Sequence, residues 1–267
     1  MSLSITFLGT GPDSGIPRKG CVDDVCISAR RGGKSRRMRS SALVSSGRVK
    51  ILIDAGPDIL EQLKRAKVRR LDAALLTHGH ADACSGLRDL DKWAAAHLPN
   101  GLFIMTDKVT RARLEKRFKD LCALRFVTIR SYAKIKIGNA SIIPFSVKHS
   151  VTPGFPALGY LFGKQLAYAS DAVGIPPCSS VLLRNIRTLA LDGAKFGGKS
   201  MAMHFSSHES IRMASKLHAH HLVLTQLGHT YPPHERAERE IRKFLKTSKL
   251  KYPKRISLAY DGLTILH

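Results

Sequence analysis

Leu75-Leu76-Thr77-His78-Gly79-His80-Ala81-Asp82-Ala83 is the stretch on which the reading turns. An apolar run ends in a turn that carries two histidines and an aspartate on alternate residues. A strand end followed by a helix start can point alternate side chains at one ion. Imidazole and carboxylate are ligands that suit Zn²⁺ and related divalent metals. The competing reading is a chance pair of surface histidines. The glycine after the first histidine and the aspartate two residues past the second weigh against it.

Outward from this stretch the pattern is α/β. Short β-like runs recur from Ser4–Leu8 to Leu263–Leu266, and helical spacing of apolar residues marks Pro57–Ala66, Ala83–His97, Thr110–Leu121, Ser207–His218 and Pro233–Thr247. Ser207 followed by Ser210 reads as a helix start, and Pro233 suits a first helical turn. No repeat and no linker-like segment interrupts the chain, which predicts one domain over residues 1–267. Gly9 through Arg39 reads as a long irregular loop, with a candidate zinc-binding element at 20–40.

The motif resembles the His-x-His-x-Asp-His signature of the metallo-β-lactamase superfamily. Ile53-Asp54-Ala55-Gly56, the isolated His149, and Asp171 after Ala167-Tyr168-Ala169-Ser170 follow in the matching order. The resemblance implies a four-layer αββα sandwich with a metal site at one edge of two packed sheets. Within that superfamily the chain is most similar to the carbon–phosphorus lyase accessory phosphodiesterases. Phe7-Leu8-Gly9-Thr10-Gly11, Cys21, Cys26, Gly159-Tyr160, His204, Leu224-Thr225 and Asp261-Gly262 carry this likeness. That family hydrolyses cyclic and linear phosphodiesters with two active-site metals and holds a separate structural zinc.

The resemblance implies that His78, His80, His149 and Asp171 hold a first metal. The second metal of the family also uses the motif aspartate, here Asp82, and two further histidines. Those two positions are Ala83 and Gln226 in this chain. With both imidazoles gone, the second site lacks the three protein ligands that Zn²⁺ usually takes. The resemblance places His229 with Cys21 and Cys26 at the structural zinc, with Asp23 where a third cysteine would stand. Two loop thiols without metal remain the alternative. Cys84, Cys122 and Cys178 read as small buried hydrophobes. His204 matches the family's phosphate contact and proton donor, against the plainer reading of a histidine at a loop edge. His208 and His234 are spare ligand candidates. Gly193 to Ser200 fits the G-x-x-x-x-G-K-[ST] phosphate loop, a chance match on a basic loop in a chain that another fold already explains. Lys199 could still touch a substrate phosphate.

The chain has 267 residues, with Lys+Arg 44 against Asp+Glu 20 and a formal net charge of +24. Hydrophobic residues at 43% suffice for a core and exclude a disordered chain. No apolar run approaches the ~20 residues of a membrane span, and the N-terminus does not read as a secretion signal, which predicts a cytoplasmic protein without membrane attachment. Five scattered cysteines argue against a disulfide framework. The basic residues cluster at Arg30–Arg39, Lys64–Arg70 and Arg236–Arg255. Such charge attracts polyanions, although a merely solvated surface would look the same. Three function classes follow. The first is a hydrolase that cleaves phosphodiesters by a metal-activated water, with one Zn²⁺ (or Mn²⁺) in the active site, Asp82 orienting or deprotonating the water and His204 protonating the leaving group. The second is a nuclease on RNA or DNA, gripping the backbone through the basic clusters. The third is a catalytically weakened member that binds nucleic acid or a phosphorylated ligand. β-Lactam hydrolysis is a weaker fourth. Convergence of the basic clusters on the metal site would favour the nuclease.

Overall fold

A computed structural model describes residues 2–149, 154–198 and 202–267. The chain runs β1 (Leu3–Gly9), α1 (Asp24–Arg30), β2 (Ser41–Ser46), β3 (Val49–Ile53), α2 (Ile59–Arg65), β4 (Ala73–Leu75), α3 (Ala81–Cys84), α4 (Leu87–His97), β5 (Leu102–Thr106), α5 (Lys108–Arg117) and β6 (Leu124–Thr128). It continues with β7 (Ile135–Ile137), β8 (Ala140–Val147), β9 (Ala157–Phe162), β10 (Leu166–Ala169), α6 (Pro177–Leu183), β11 (Thr188–Asp192), α7 (Ser207–Lys216), β12 (His221–Thr225), α8 (His234–Thr247), β13 (Arg255–Leu258) and β14 (Thr264–Leu266). Two seven-stranded sheets result, in the orders β14-β1-β2-β3-β4-β5-β6 and β13-β12-β11-β10-β9-β8-β7. Strands β3 to β6 are parallel to one another, as are β10 to β13.

Strand alternation builds the layers. Ile51 and Ile53 of β3 face the other sheet, whereas Leu52 faces the helices. On β12, Val223 joins the layer between the sheets while Leu222 and Leu224 pack under α7 and α8. Successive strand residues point to opposite faces, so both faces of each sheet must be covered. One apolar layer joins the two sheets through Phe7, Ile51, Tyr160 and Tyr168. A second lies under α2, α4 and α5, and a third under α6, α7 and α8. This is the αββα sandwich.

Local chemistry moved several boundaries. The helix expected over Ala83–His97 breaks at Ser85-Gly86, where a Cβ on Gly86 would come within 2.0 Å of the Gly56 carbonyl oxygen. Helix α7 starts at Ser207 as expected, and the residue before it fixes that start: the Ser206 side chain accepts from the Glu209 amide while the Glu209 carboxylate accepts from the Ser206 N–H, a capping box. The expected irregular loop at 9–39 holds α1, a short 3-10 turn at Gly33–Ser35, and a small core of Ile16, Cys21, Val25, Cys26 and Ala29. Cys122 and Cys178 are exposed, unlike Cys84, so they do not pack as core residues. Lys199 and Ser200 of the chance phosphate-loop match lie outside the described residues. No helix among the described residues is long and apolar enough to cross a membrane.

Topology also sorts the charge. Helix α2 leaves the carboxyl end of β3 and returns to the start of β4, so Lys64–Arg70 lie at the amino ends of the parallel strands. Helix α8 leads likewise to the start of β13, which puts Lys246–Arg255 at that same end of the second sheet. The 30–39 cluster lies at the opposite, carboxyl end, but much of it is committed. Arg37 is buried, donating to Thr10 Oγ1 at 2.8 Å, the Ala259 carbonyl at 2.5 Å and His234 Nδ1 at 2.9 Å. Arg39 pairs with Asp58 at 3.0 Å.

The link from fold to site runs through Gly56. Ala55 N–H donates to the Ala83 carbonyl at 2.7 Å, and a Cβ on Gly56 would lie 2.0 Å from the Asp82 carbonyl oxygen. Gly56→Ala is expected to destabilise the protein by about 1–3 kcal/mol, as overpacking does, and to lower metal uptake by shifting α3. Urea unfolding together with metal analysis checks both; an unchanged midpoint would contradict the packing argument.

Candidate metal centre

Every element of the site comes from the carboxyl ends of β3, β4, β8 and β10 to β12. His78 and His80 follow β4, His149 follows β8, Asp171 follows β10, Asp192 ends β11 and Gln226 follows β12. The rings of His78 and His80 and those of His78 and His149 are 4.7 Å apart, and those of His80 and His149 5.0 Å. Their donor atoms form one group within 4.8 Å, and His149, Asp171 and His204 form a second that shares His149. Of the four residues expected at the first site, the three histidines meet in one group, and Asp171 adjoins it through His149 in the second.

Hydrogen bonds fix which nitrogen of His78 and of His149 faces inward. Thr77 Oγ1 donates to Asp54, 2.9 Å away, and so can only accept from His78 Nδ1 at 2.8 Å. That leaves His78 Nε2 with its lone pair inward, and this atom is buried without a partner among the described residues. His149 Nδ1 donates to the Met203 carbonyl at 3.1 Å, which frees His149 Nε2, 3.0 Å from His80 Nδ1. Ring nitrogens about 2.0–2.1 Å from a tetrahedral Zn²⁺ would sit roughly 3.3 Å from one another. Orienting a ligating histidine through its other nitrogen is the usual outer-shell device. Two inward lone pairs, one orphaned, with His80 Nδ1 facing them, fit a divalent cation.

Electrostatics agree. Burial, opposed by Asp171, lowers His78 to about 3, so its ring is neutral and available. Burial also lowers His80 and His149, with Asp171 opposing in each and the charge of His204 adding. Burial works against charge on Asp171, but His78, His149 and His204 outweigh it and hold the carboxyl below its usual range. Asp82 is pushed up to about 7 by burial and by Asp171.

The second-metal position does not fit a zinc. Ala83 is buried and offers no ligand. Gln226 Nε2 donates to Asp171 Oδ1 at 2.8 Å, and the same amide lies close enough to Asp82 to oppose the rise that burial gives its carboxyl. A neutral amide thus ties together the two carboxylates that a second cation would bridge. Gln226 holds φ +62 and Asp54 φ +62, left-handed conformations that non-glycine residues rarely adopt and that concentrate at functional sites.

His204 Nδ1 contacts Asp192 Oδ2 at 2.6 Å, and the His204 ring lies 4.9 Å from that of His149. Burial works against its charge, but the Asp192 hydrogen bond and the charges of Asp192, Asp171 and Asp82 raise it to about 9. Asp192, Thr77 and Phe155 were missed in the sequence. Asp192 had a signal, a carboxylate directly after the apolar run Leu189–Leu191; Phe155, whose ring stacks on His80 at 4.4 Å, had none.

A separate cluster sits in the 20–40 loop. Cys26 Sγ is 3.1 Å and Cys21 Sγ 3.9 Å from His229 Nδ1, whose ring is oriented by Ser14 at 2.8 Å from Nε2. These three donors could hold a metal. Asp23 contacts Cys21 Sγ at 3.1 Å but stands outside the three-member group. His208 stacks on Phe244 at 3.6 Å and His234 bonds Arg37, so neither joins either cluster as a spare ligand.

The sequence profile of the β-lactamase superfamily domain matches residues 49–225, the span from β3 to the end of β12. This chain belongs to the metallo-β-lactamase superfamily. A crystal structure described as a new diphosphatase from the PhnP family is 31% identical, with TM-score 0.87 over 100% of this chain and 98% of that one, which places this superfamily member in the PhnP family. The metallo-β-lactamase fold protein YhfI from Bacillus subtilis is 19% identical, with TM-score 0.77 over 100% of this chain and 99% of that one, and shows the fold. An octanoyltransferase of Porphyromonas gingivalis is 28% identical over 96% of this chain, which spans only about half of that relative, 50% of its length. The superfamily is one of divalent-metal sites, in keeping with the histidine cluster.

Restoring both lost imidazoles tests the second position. Ala83→His with Gln226→His, in a protein whose loop cysteines are replaced by serine, is expected to raise tightly bound divalent metal from one to two ions per chain. Elemental analysis after desalting reads it, and a count that stays at one would mean that Gln226 is not the second-site position.

Proposed function

We propose that this protein is a metal-dependent hydrolase of small phosphodiesters, with one divalent cation held by His78, His80, His149 and Asp171. An imidazole-rich donor set suits Zn²⁺ better than Mg²⁺. The observation that carries the reading is His204: a histidine kept protonated by a buried carboxylate, beside the cluster, is what departure of an alkoxide or phenoxide requires. A cation bound there supplies charge to a phosphoryl oxygen and makes a nearby water more acidic.

The chain's own groups do the rest. Asp82, half-buried and held by Gln226, accepts the proton of the attacking water. The new P–O bond forms as the bond to the leaving oxygen breaks, and His204 gives that oxygen its proton from Nε2, since Nδ1 is engaged by Asp192. Asp192 holds the ring and stabilises its charge. Cys21, Cys26 and His229, with Asp23 beside them, would hold a structural zinc that staples the loop over this end of the sheets.

The nuclease reading is disfavoured by topology. Lys64–Arg70 and Lys246–Arg255 lie at the strand ends opposite the histidines, and Arg37 and Arg39 of the 30–39 cluster are spent on internal bonds. A backbone laid across the centre would not reach them together.

Metal-reconstituted protein is expected to turn over bis(p-nitrophenyl) phosphate and a 2′,3′-cyclic nucleotide, to lose this activity to a chelator, and to leave a single-stranded RNA oligomer intact. Faster cleavage of the RNA would overturn the small-substrate reading. His204→Asn should lower kcat by about 10²–10⁴-fold for diesters with poor leaving groups, and far less for p-nitrophenolate. The acid form of His204 exists below its pKa, so wild-type kcat on poor leaving groups should fall as pH rises past about 9, and the Asn variant should lack that limb.

A further inference from the structure

We propose that Arg113 forms a second phosphate subsite at the mouth of the centre and selects organic diphosphates over simple phosphodiesters; this rests on the hydrolase reading above. Helix α5 is docked on the His-Gly-His turn. A Cβ on Gly79 would lie 3.7 Å from Thr110 Cγ2, within the first turn of that helix. Arg113, three residues on, shares that face of the helix. Its guanidinium lies 5.1 Å from the centroid of Phe155, and the Phe155 ring is stacked on His80 with an interplanar angle of 25°. One aromatic ring therefore separates a fixed cation from a ligand of the candidate metal.

The cation is free to act. Arg111 of the same helix is paired with Glu115 at 2.8 Å, and Arg117 lies over Phe118. Asp107 is spent capping α5, accepting from the Val109 and Thr110 amides. Arg113 is exposed and has no ion pair or hydrogen bond among the described residues. Packing of a guanidinium against a ring leaves its N–H edge for an anion, and that edge matches two oxygens of a phosphate. With the scissile phosphoryl group at the histidines, the anion within reach of Arg113 is the neighbouring phosphoryl group of the same small molecule. Phe155 holds the arginine in place and closes the gap between them.

The test compares wild type, Arg113→Ala and Arg113→Lys, all metal-reconstituted, on diadenosine 5′,5″-diphosphate and on bis(p-nitrophenyl) phosphate. Arg113→Ala is expected to lower kcat/KM for the diphosphate at least about tenfold more than for the monophosphodiester, chiefly through KM, the scale of one lost charge-assisted hydrogen-bond pair. Calorimetric affinity for inorganic pyrophosphate should fall by a similar factor, affinity for orthophosphate should fall less, and metal content should stay at the wild-type value. Arg113→Lys, which keeps the charge without the fork, should lie between the two. Parallel losses on both substrates, or loss of metal, would mean that Arg113 serves only to support Phe155 and His80; unchanged selectivity and unchanged pyrophosphate affinity would equally overturn the proposal. Should wild type hydrolyse neither diester, the hydrolase reading fails on its own, while the pyrophosphate titration still decides whether Arg113 binds a second phosphate.

Discussion

Everything at the working end of this molecule follows from carboxylates placed where water cannot reach them. Asp54, Asp171 and Asp192 are buried, and Asp82 is half-buried beside them. Buried charge is tolerated only when it is paired or hydrogen-bonded. Each carboxylate here has its own solution. Asp54 takes the Thr77 amide and hydroxyl, Asp171 takes Ser170 and Gln226, and Asp192 takes the Ala172 and Ala194 amides and His204. The histidine cluster sits inside this ring of carboxylates, of which burial pushes Asp54, Asp82 and Asp192 up and the neighbouring histidines hold Asp171 down. Burial lowers the pKa of each ring of the cluster, and the group held protonated beside the carboxylates is His204.

The surface charge has a different logic. A net charge of +24 spread evenly would have made every anion a plausible partner. The parallel strands instead separate the functions of the two ends. Helices α2 and α8 carry the basic residues of their last turns and following loops, Lys64–Arg70 and Lys246–Arg255, away from the histidines, because a helix that begins at the carboxyl end of one strand must return to the amino end of the next. At the carboxyl end, Arg37 locks the 9–39 loop to Ala259 and His234, Arg39 pairs with Asp58, and Arg113 lies against Phe155 without an ion pair among the described residues.

The fold was legible in the sequence because its evidence is local and repeated: strand alternation, helical spacing, and a metal motif at a strand-to-turn junction. The first metal site was legible for the same reason, since His78, His80 and Asp82 lie within five residues and His149 and Asp171 each follow a strand. What stayed hidden depends on distant pairings. Nothing in the sequence near Thr77 says that its hydroxyl bridges Asp54 to His78, and nothing near Phe155 says that it stacks on His80. The irregular reading of the 9–39 loop failed because its short helix is held by a miniature core of five residues, too small to produce a periodic pattern. The break at Ser85-Gly86 was missed because it exists only through the close approach of Gly56, thirty positions earlier.

Gln226 changes what the remaining groups must do. A second cation would draw Asp82 and Asp171 together and share the charge that builds on the departing oxygen, one side of the two-metal clamp. An amide can hold the two carboxylates by hydrogen bonding but brings no net charge. The burden of neutralising the leaving oxygen then falls on a proton. His204 is suited to it because Asp192, fixed by two backbone amides, cannot swing away and keeps the imidazole protonated where a free histidine would be mostly neutral. In the proposed reaction, Ala83 and Gln226 in place of the two histidines and the His204–Asp192 pair belong to one arrangement: where no second metal would stabilise departure, a charged imidazole on a buried carboxylate would.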